Sequence, residues 1–377
     1  MNDALKERVY HCARELLRPT LIERDTGARF DREAWLALGS TGLFQGMAPK
    51  RAGGLELSCS EHLEVLVSLG RGGLDIPFGV SVVAHLIGVD LVASFGSADL
   101  KARNLAPLLR GERIAAVCNS EVGAGTNLKN IRAKLERTAE GLHVLNAHKS
   151  YATNLSQADV AILSAVSPEN LLQVFAVEDR SAQNCHNDRL MGFCTGATGD
   201  IVLKNFEIDP ERARLGGVKD GFLILRRTFD LERLMIPAVI LGVLEAFQAS
   251  ALEHLKARFD EGNDLASKQY IQQKVVTLFT ARMKLRAMLG DIAARMNLQE
   301  IANPQVNADL SLLKMSSIED GLAAAEAYYE LLGSASFQRQ STVQKVIRDL
   351  LGLKFLGGTQ ELHKMMLFRE LAPWCKA

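Results

Sequence analysis

The 377-residue chain has no excess of charge of either sign: Lys plus Arg and Asp plus Glu each number 44, for a formal net charge of zero. That excludes a domain-wide basic footprint for nucleic acid, though not a local patch. Cysteine is sparse and scattered. Its six positions (Cys12, Cys59, Cys118, Cys185, Cys194 and Cys375) include no CxxC pair. This argues against a zinc site or a disulfide framework, and for free thiols in a reducing cytoplasm. No secretory leader or membrane span opens the sequence. "MNDALKERVYHCARELLRPT" mixes charges from the start, and Leu5, Val9, Cys12, Leu16 and Leu17 fall at helical spacing before Pro19. Internal repeats and low-complexity segments are missing as well, and neither nucleic acid nor a membrane is expected as a partner.

What is present is ordinary for a soluble globular protein, with 47% hydrophobic and 23% charged residues. The length predicts two or three structural units. Over residues 1–112 the signals are helical, with Ser and Asp at helix starts and Gly at breaks. "DIPFGVSVVAHLIGVDLVASFG" is apolar on nearly all sides, as a buried helix would be, and Gly, His and Asp interrupt it too often for a membrane span. Over 113–215 the period changes to short Val-, Ile- and Leu-rich runs such as "RIAAVCNSE", "DVAILSAVS" and "LLQVFAVED". "LERTAEGLHVLN" reads as a hairpin turning at Ala139–Gly141, so this region is expected to be a small antiparallel β-domain, a sandwich or barrel. Over 216–377 long amphipathic segments return, enough for an antiparallel four-helix bundle. The fold class is therefore α+β: a helical domain, a β-domain, then a bundle.

Four short motifs fall on this framework. "EVGAGTN" (121–127) follows a strand, and its Gly-x-Gly lets backbone N–H groups approach a flavin or a pantetheine arm; an ordinary tight turn is the other reading. "HKSYATN" (148–154) closes a strand, "LMGFCTGAT" (190–198) follows, and Arg348-Asp349 stand at a fixed spacing before "LGGT" (356–359). In that order they resemble the motifs of the acyl-CoA dehydrogenase family (L-T-E-P-G-A-G-S-D, N-G-x-K-x-W-I-T-N, K-M-G-x-R-x-S-x-T and R-D…Y-E-G-T), and the resemblance covers essentially the whole chain. It implies FAD as cofactor, with Asn119, Gly125, Thr126, Tyr151, Thr153, Thr359 and Glu361 on the family's flavin-binding positions. Arg258, Phe259 and Gln269 correspond to a motif that reaches the FAD of a neighbouring subunit, which implies a homo-oligomer, tetramer or dimer. Thr126 also falls near the substrate.

The family's chemistry removes a proton α to a thioester carbonyl while a hydride leaves the β-carbon, and it needs a carboxylate facing the α-carbon. Most members carry it as the Glu of Y-E-G-T, where this chain has Gly357. Isovaleryl-CoA and prolyl-carrier-protein dehydrogenases carry a Glu-Arg pair on the first long bundle helix instead. "FDLERL" (229–234) offers Glu232 as that base, beside the substrate-binding candidates Asp230 and Arg233. From helix statistics alone, Glu232 would be a carboxylate in a helix's first turn, favouring the dipole. Arg233 would orient the segment, pair with Asp230 or form a surface ion pair. Gly357 still has an N–H to bind the thioester oxygen, worth about 3 kcal/mol as an oxyanion donor. His148, His363 and Cys194 read as solvated or satisfied rather than catalytic.

Several motifs are altered. Val122 replaces a Pro, Thr126-Asn127 replace Ser-Asp, "ARFDEGND" lacks the Gly after Phe259, and Gly333-Ser334-Ala335-Ser336 replaces a Gly-Gly-x-Gly turn. The resemblance thus implies an FAD-dependent acyl-thioester dehydrogenase, on CoA or a carrier protein, passing electrons to an electron-transfer flavoprotein or to oxygen and suited to a specialised biosynthetic pathway. Two alternatives stay open: a non-catalytic protein that binds an acyl chain or a partner, and a flavoenzyme of the same fold that uses oxygen. No metal site is expected.

Overall fold

Short oxygen-bearing side chains start most helices of the first third of the chain. After α1 (Asn2–Leu16) and α2 (Leu21–Thr26), Asp31 caps α3 (Arg32–Ser40) and Ser58 caps α4 (Cys59–Gly73) in a reciprocal capping box with Glu61. Asp75 caps α5 (Ile76–Phe95) and Ser97 caps α6 (Ala98–Leu109). The computed structural model describes residues 2–123, 130–179, 183–185, 189–260, 262, 264–297, 306–372 and 374.

Eight strands follow among the described residues: β1 (Ala115–Cys118), β2 (Lys134–Arg137), β3 (His143–Ala152), β4 (Val160–Val166), β5 (Leu172–Val177), β6 (Gln183–Cys185), β7 (Gly199–Glu207) and β8 (Arg214–Leu215). They form one sheet in the order β6-β7-β3-β2-β4-β5-β8, with β1 beside β4. The hairpin expected at Ala139–Gly141 joins β2 to β3. Most pairings are antiparallel, but β1 runs parallel to β4 over four residue pairs, and β2 meets β4 in parallel at Lys134–Val166. Strand β4 is buried on both faces. Val160 and Ile162 belong to the core shared with the helices, while Ala161, Leu163 and Ala165 pack in the sheet's own core with Leu145, Phe175 and Ile201.

After the short helix α7 (Pro210–Ala213) the chain enters α8 (Gly221–Asp260), then α9 (Gln269–Arg295) and α10 (Asn307–Leu332). The final segment forms two helices, α11 (Thr342–Leu353) and α12 (Gln360–Leu371), separated by the Gly357-Gly358 turn. Helices α5 and α8 have the length and apolarity to cross a membrane, but both lie in the core, with 89% and 78% of their most apolar windows buried. Glycine sets how closely α4 and α8 approach. A Cβ on Gly70 would sit 2.2 Å from the Val239 carbonyl oxygen, and one on Gly242 would sit 2.1 Å from that of Val67.

A buried ionic cluster joins the three regions. The Lys345 ammonium from α11 donates to Asp75 Oδ1 (3.1 Å), at the cap of α5, and to Asp349 Oδ2 (2.7 Å). Arg24 Nη1 donates to the other Asp75 oxygen at 2.6 Å, and Thr195 Oγ1 to Asp75 Oδ1 at 2.6 Å. Asp349 Oδ1 accepts the backbone N–H of Phe193 at 2.9 Å. Lys345, Asp75 and Asp349 have no side-chain exposure. Replacing Lys345 with Met would leave two buried carboxylates without their cation. K345M is expected to lose about 3–5 kcal/mol of stability in chemical denaturation.

Candidate active site

Three elements converge on one small pocket. Helix α8 contributes Glu232, Arg233, Ile236 and Pro237; α10 contributes Lys314, Ser317 and Ile318; Leu353, Leu356 and Gly357 close it from the end of α11 and the turn beyond. Apolar side chains form most of the wall. Gly357 has φ +65° and Gly358 φ +100°, a left-handed pair that side chains rarely adopt. A Cβ built on Gly357 would lie 3.3 Å from the Glu232 carboxyl carbon and 3.4 and 3.5 Å from its two oxygens. A side chain at 357 and the carboxyl group of Glu232 therefore compete for the same space. The first-turn reading of Glu232 fails, because α8 starts at Gly221 and Glu232 lies well inside it, away from the N-terminal end of the dipole.

The pocket's electrostatics follow from its burial. The protein encloses Glu232 except where it faces the pocket. Burial raises its carboxyl group to about 7, against the pull of Arg233 and Lys314 towards ionisation. Burial likewise lowers the Lys314 ammonium to about 8; Glu232 and Glu361 oppose that shift, and Arg233 reinforces it. Arg233 is 7% exposed, so the surface ion-pair reading does not hold. Its nearest ionic contact is Asp230 at 3.9 Å, and neither Arg233 Nε nor Asp230 Oδ1 has a hydrogen-bond partner. Asp230 is not part of the pocket wall; it turns towards Arg226, 3.5 Å away on its own helix.

The flavin candidates divide into three groups. Gly125 and Thr126 lie outside the described residues. Tyr151 sits at an irregularity between β3 and β7, with φ +54°, its N–H donating to Asp200 Oδ1 (3.0 Å) and its side chain 64% exposed. The Glu121–Lys149 bridge and the Ser150 N–H to Ser120 carbonyl bond run the segment after β1 antiparallel to β3, which sets Asn119 towards Tyr151 and the exposed Val122 towards His148. This lip at Tyr151, with Asn119 just beyond the end of β1, suits a flat apolar ring. Thr153 is buried next to Asn154, whose side-chain amide donates to the carbonyls of Ser81 (2.7 Å) and Ala115 (3.1 Å). The Asn154 N–H reaches the Gly196 carbonyl, and Phe193 of the same loop packs on Gly352 of α11. The sheet lip and the Glu232 pocket thus adjoin opposite ends of one contact chain. Arg258 and Phe259 are exposed near the far end of α8, about 40 Å along the helix from Glu232 at its usual rise, and the exposed Gln269 opens α9. One chain therefore does not bring these three to its own pocket. The Thr359 hydroxyl accepts the Leu362 N–H and caps α12, and Glu361 is exposed in the first turn of that helix.

Lys314 is an addition that sequence reasoning did not pick out, and His363, read there as solvated or satisfied, is satisfied by the turn itself. His363 is fully buried, with Nε2 3.2 Å from the Gly357 carbonyl oxygen. Burial, with Arg233 and Lys314 nearby, lowers its imidazole to about 4. A lysine on the apolar stripe "LSLLKMSSI" was the available signal for Lys314; nothing local marks His363. His148 is exposed, 3.4 Å from Asp200, and burial pushes the Cys194 thiol up to about 11, so neither is equipped for catalysis.

Glu232 also gives a readout that needs no activity. Its folded value of about 7 lies above the ordinary 4.5, so the protonated form is the one the fold favours. The stability it contributes is complete below about 4.5 and is lost as pH rises to about 7. Glu232→Gln escapes that loss. The variant is expected to match wild type near pH 5 and to exceed it by on the order of 1–3 kcal/mol at pH 8, measured by urea denaturation at both.

Comparison with known proteins identifies the family. Two family models match, "Acyl-CoA dehydrogenase, N-terminal domain" over residues 2–112 and "Acyl-CoA dehydrogenase, C-terminal domain" over 219–372. The mitochondrial isovaleryl-CoA dehydrogenase of Solanum tuberosum is 25% identical, with 97% of this chain and 89% of the relative covered. An L-prolyl-[peptidyl-carrier protein] dehydrogenase of Pseudomonas fluorescens is 26% identical, over 91% of this chain and 90% of its own. Among solved structures, "PigA with FAD and proline" superposes with a TM-score of 0.86 at 22% identity, covering 98% of this chain and 97% of that one, which shows a shared fold. From its matched domains, its full-length relatives and its helix–sheet–helix architecture, this chain belongs to the acyl-CoA dehydrogenase family.

Proposed function

We propose that this protein is an FAD-dependent dehydrogenase of an acyl thioester, with Glu232 as the base. One observation carries the reading: the Glu232 carboxyl group stands directly against the space that a side chain at residue 357 would enter, in the wall of a largely apolar pocket. A carboxyl group near 7 is matched to taking a proton at neutral pH. Glu232 abstracts the α-proton. The Gly357 N–H holds the thioester oxygen and stabilises the charge that develops there. Arg233 and Lys314 favour the ionised form of Glu232 before the transfer. Bound FAD supplies the acceptor for the β-hydride. The exposed Tyr151 at the end of β3, with Asn119 and Thr153, offers a surface for its ring, while Thr359 and Glu361 lie beside the turn. The exposure of Arg258, Phe259 and Gln269 far from the pocket supports a role for them towards a neighbouring subunit of a homo-oligomer.

Likeness to both isovaleryl-CoA and prolyl-carrier-protein dehydrogenases supports CoA or a carrier protein as the thioester's bearer. We take the carrier-bound form, in a specialised biosynthetic pathway, as the working reading. Electrons pass to an electron-transfer flavoprotein or to oxygen. The buried free thiols Cys59, Cys118 and Cys194 suit a reducing cytoplasm.

Purified protein is expected to show an oxidised-flavin spectrum that an acyl thioester bleaches. Glu232→Gln should slow the bleaching by about 10²–10⁴-fold while keeping the flavin. Unchanged bleaching in E232Q would remove Glu232 as base, and a protein that takes up no flavin would return the reading to a binding role. Offering one acyl group on CoA and on a phosphopantetheinyl carrier decides the bearer, and preference for CoA overturns the carrier reading. Rapid reoxidation of the reduced flavin by oxygen would mark oxygen as the acceptor.

A further inference from the structure

We propose that Lys314 and His363 are positioning residues that clamp the Gly357-Gly358 turn, fixing the Gly357 N–H opposite Glu232. The inference rests on the dehydrogenase reading above for its purpose, though not for its geometry. Two consecutive glycines at φ +65° and +100° form a turn with many competing conformations and no side chain of its own to hold it. Both of its carbonyls are gripped from outside. Lys314 Nζ, reaching from α10, donates to the Gly358 carbonyl at 2.6 Å. His363, one turn into α12, sits 3.2 Å from the Gly357 carbonyl. Since a carbonyl only accepts, His363 Nε2 carries the hydrogen. In the neutral ring Nδ1 is then a bare acceptor, which is why it stays buried without a partner and without an orphaned proton. The fit is close: a Cβ on Gly358 would lie 3.2 Å from His363 Nε2 and 3.1 Å from Leu362 Cδ2.

Lys314 does more than a neutral anchor could. Its ammonium is nearly buried and forms no ion pair within 4.0 Å among the described residues, yet it lines the same pocket as Glu232. The titratable groups around this point are Arg233 on the base's own helix, with Asp230 behind it, Lys314 from α10, and Glu361 and the neutral His363 from α12. Of the cations, only Lys314 is hydrogen-bonded to the turn. One side chain thus couples where the turn sits to how readily Glu232 ionises.

Two measurements separate the clamp from the proposed reaction. In amide hydrogen exchange without substrate, Lys314→Met and His363→Phe are expected to speed exchange over residues 355–362 by about tenfold, leaving α8 and the sheet protected. Unchanged exchange in that segment overturns the clamp, whatever the enzyme does. If Lys314→Met does not fold, Lys314→Gln carries the same test. In the pH profile of flavin bleaching, loss of the Lys314 charge should move the acid limb up by about one pH unit, and Lys314→Arg should restore it. A limb that stays put in K314M overturns the electrostatic part. Wild-type protein that bleaches with no acyl thioester would defeat the dehydrogenase reading, and the exchange result would still decide the clamp.

Discussion

The Lys345 ammonium is the point on which the rest of the arrangement depends. Three cations (Arg24, Lys345 and Arg348) meet three carboxylates (Asp25, Asp75 and Asp349) at the junction of the regions. Burial raises the Asp75 carboxyl group, but Lys345 and Arg24 overcome it and bring it down to about 2. Burial lowers Lys345, and the two aspartates more than reverse that. Such clusters add little net stability over an apolar filling, because desolvation offsets attraction. What this one adds is register. It ties the N-terminus of α5 and the loop at Phe193–Thr195 to one face of α11, whose last turn and following residues form the wall opposite Glu232.

Given that wall, steric exclusion settles where a carboxylate can stand. A Cβ at 357 would already touch the Glu232 carboxyl group, so acidic side chains at both positions would place two like charges in one volume of low dielectric. A side chain at 357 would have to push the end of Glu232 aside and adopt a left-handed backbone, so glycine there favours Glu232 facing the pocket. It also leaves the turn without a side chain of its own, so α10 and α12 must supply the hold through Lys314 and His363.

Much of the fold was legible because its signals are local. Asp31, Ser58, Asp75 and Ser97 are short oxygen-bearing residues at helix starts, and the apolar run after Asp75 is buried from Ile76 to Val92 except at Ala84, as its composition predicts. The hairpin at Ala139–Gly141 was equally plain. Strands β6 and β8, of three and two residues, are too short to leave a pattern, and the parallel β1–β4 pairing depends on topology rather than on either strand's residues. The start of α8 was misplaced because "GFLILRRTF" has neither proline nor a cap to halt a helix, leaving only the length of the apolar pattern to judge by. Within the site, Glu232 was named through family motifs and the gap at 357, not through helix periodicity. The roles of Lys314 and His363 stayed hidden because both meet the turn through tertiary packing across α10 and α12, which no sequence spacing encodes.

A shifted titration does not by itself mark the site. Burial raises the Asp349 carboxyl group to about 6, close to the value for Glu232. Yet Asp349 Oδ1 is taken by the Phe193 N–H and Oδ2 by Lys345, with no exposed surface, so no substrate proton can reach it. Around Glu232 the accounting is left open instead: Arg233 Nε and Asp230 Oδ1 have no hydrogen-bond partner, and Lys314 has a carbonyl but no paired carboxylate within 4.0 Å among the described residues. The same chemistry, buried carboxylates beside buried cations, serves two ends. Where both oxygens of a carboxylate are taken, as at Asp75 and Asp349, it fixes the register of the layers. Where the matching is incomplete and a pocket opens on it, the remaining potential is available to a ligand, and that difference rather than the pKa singles out Glu232.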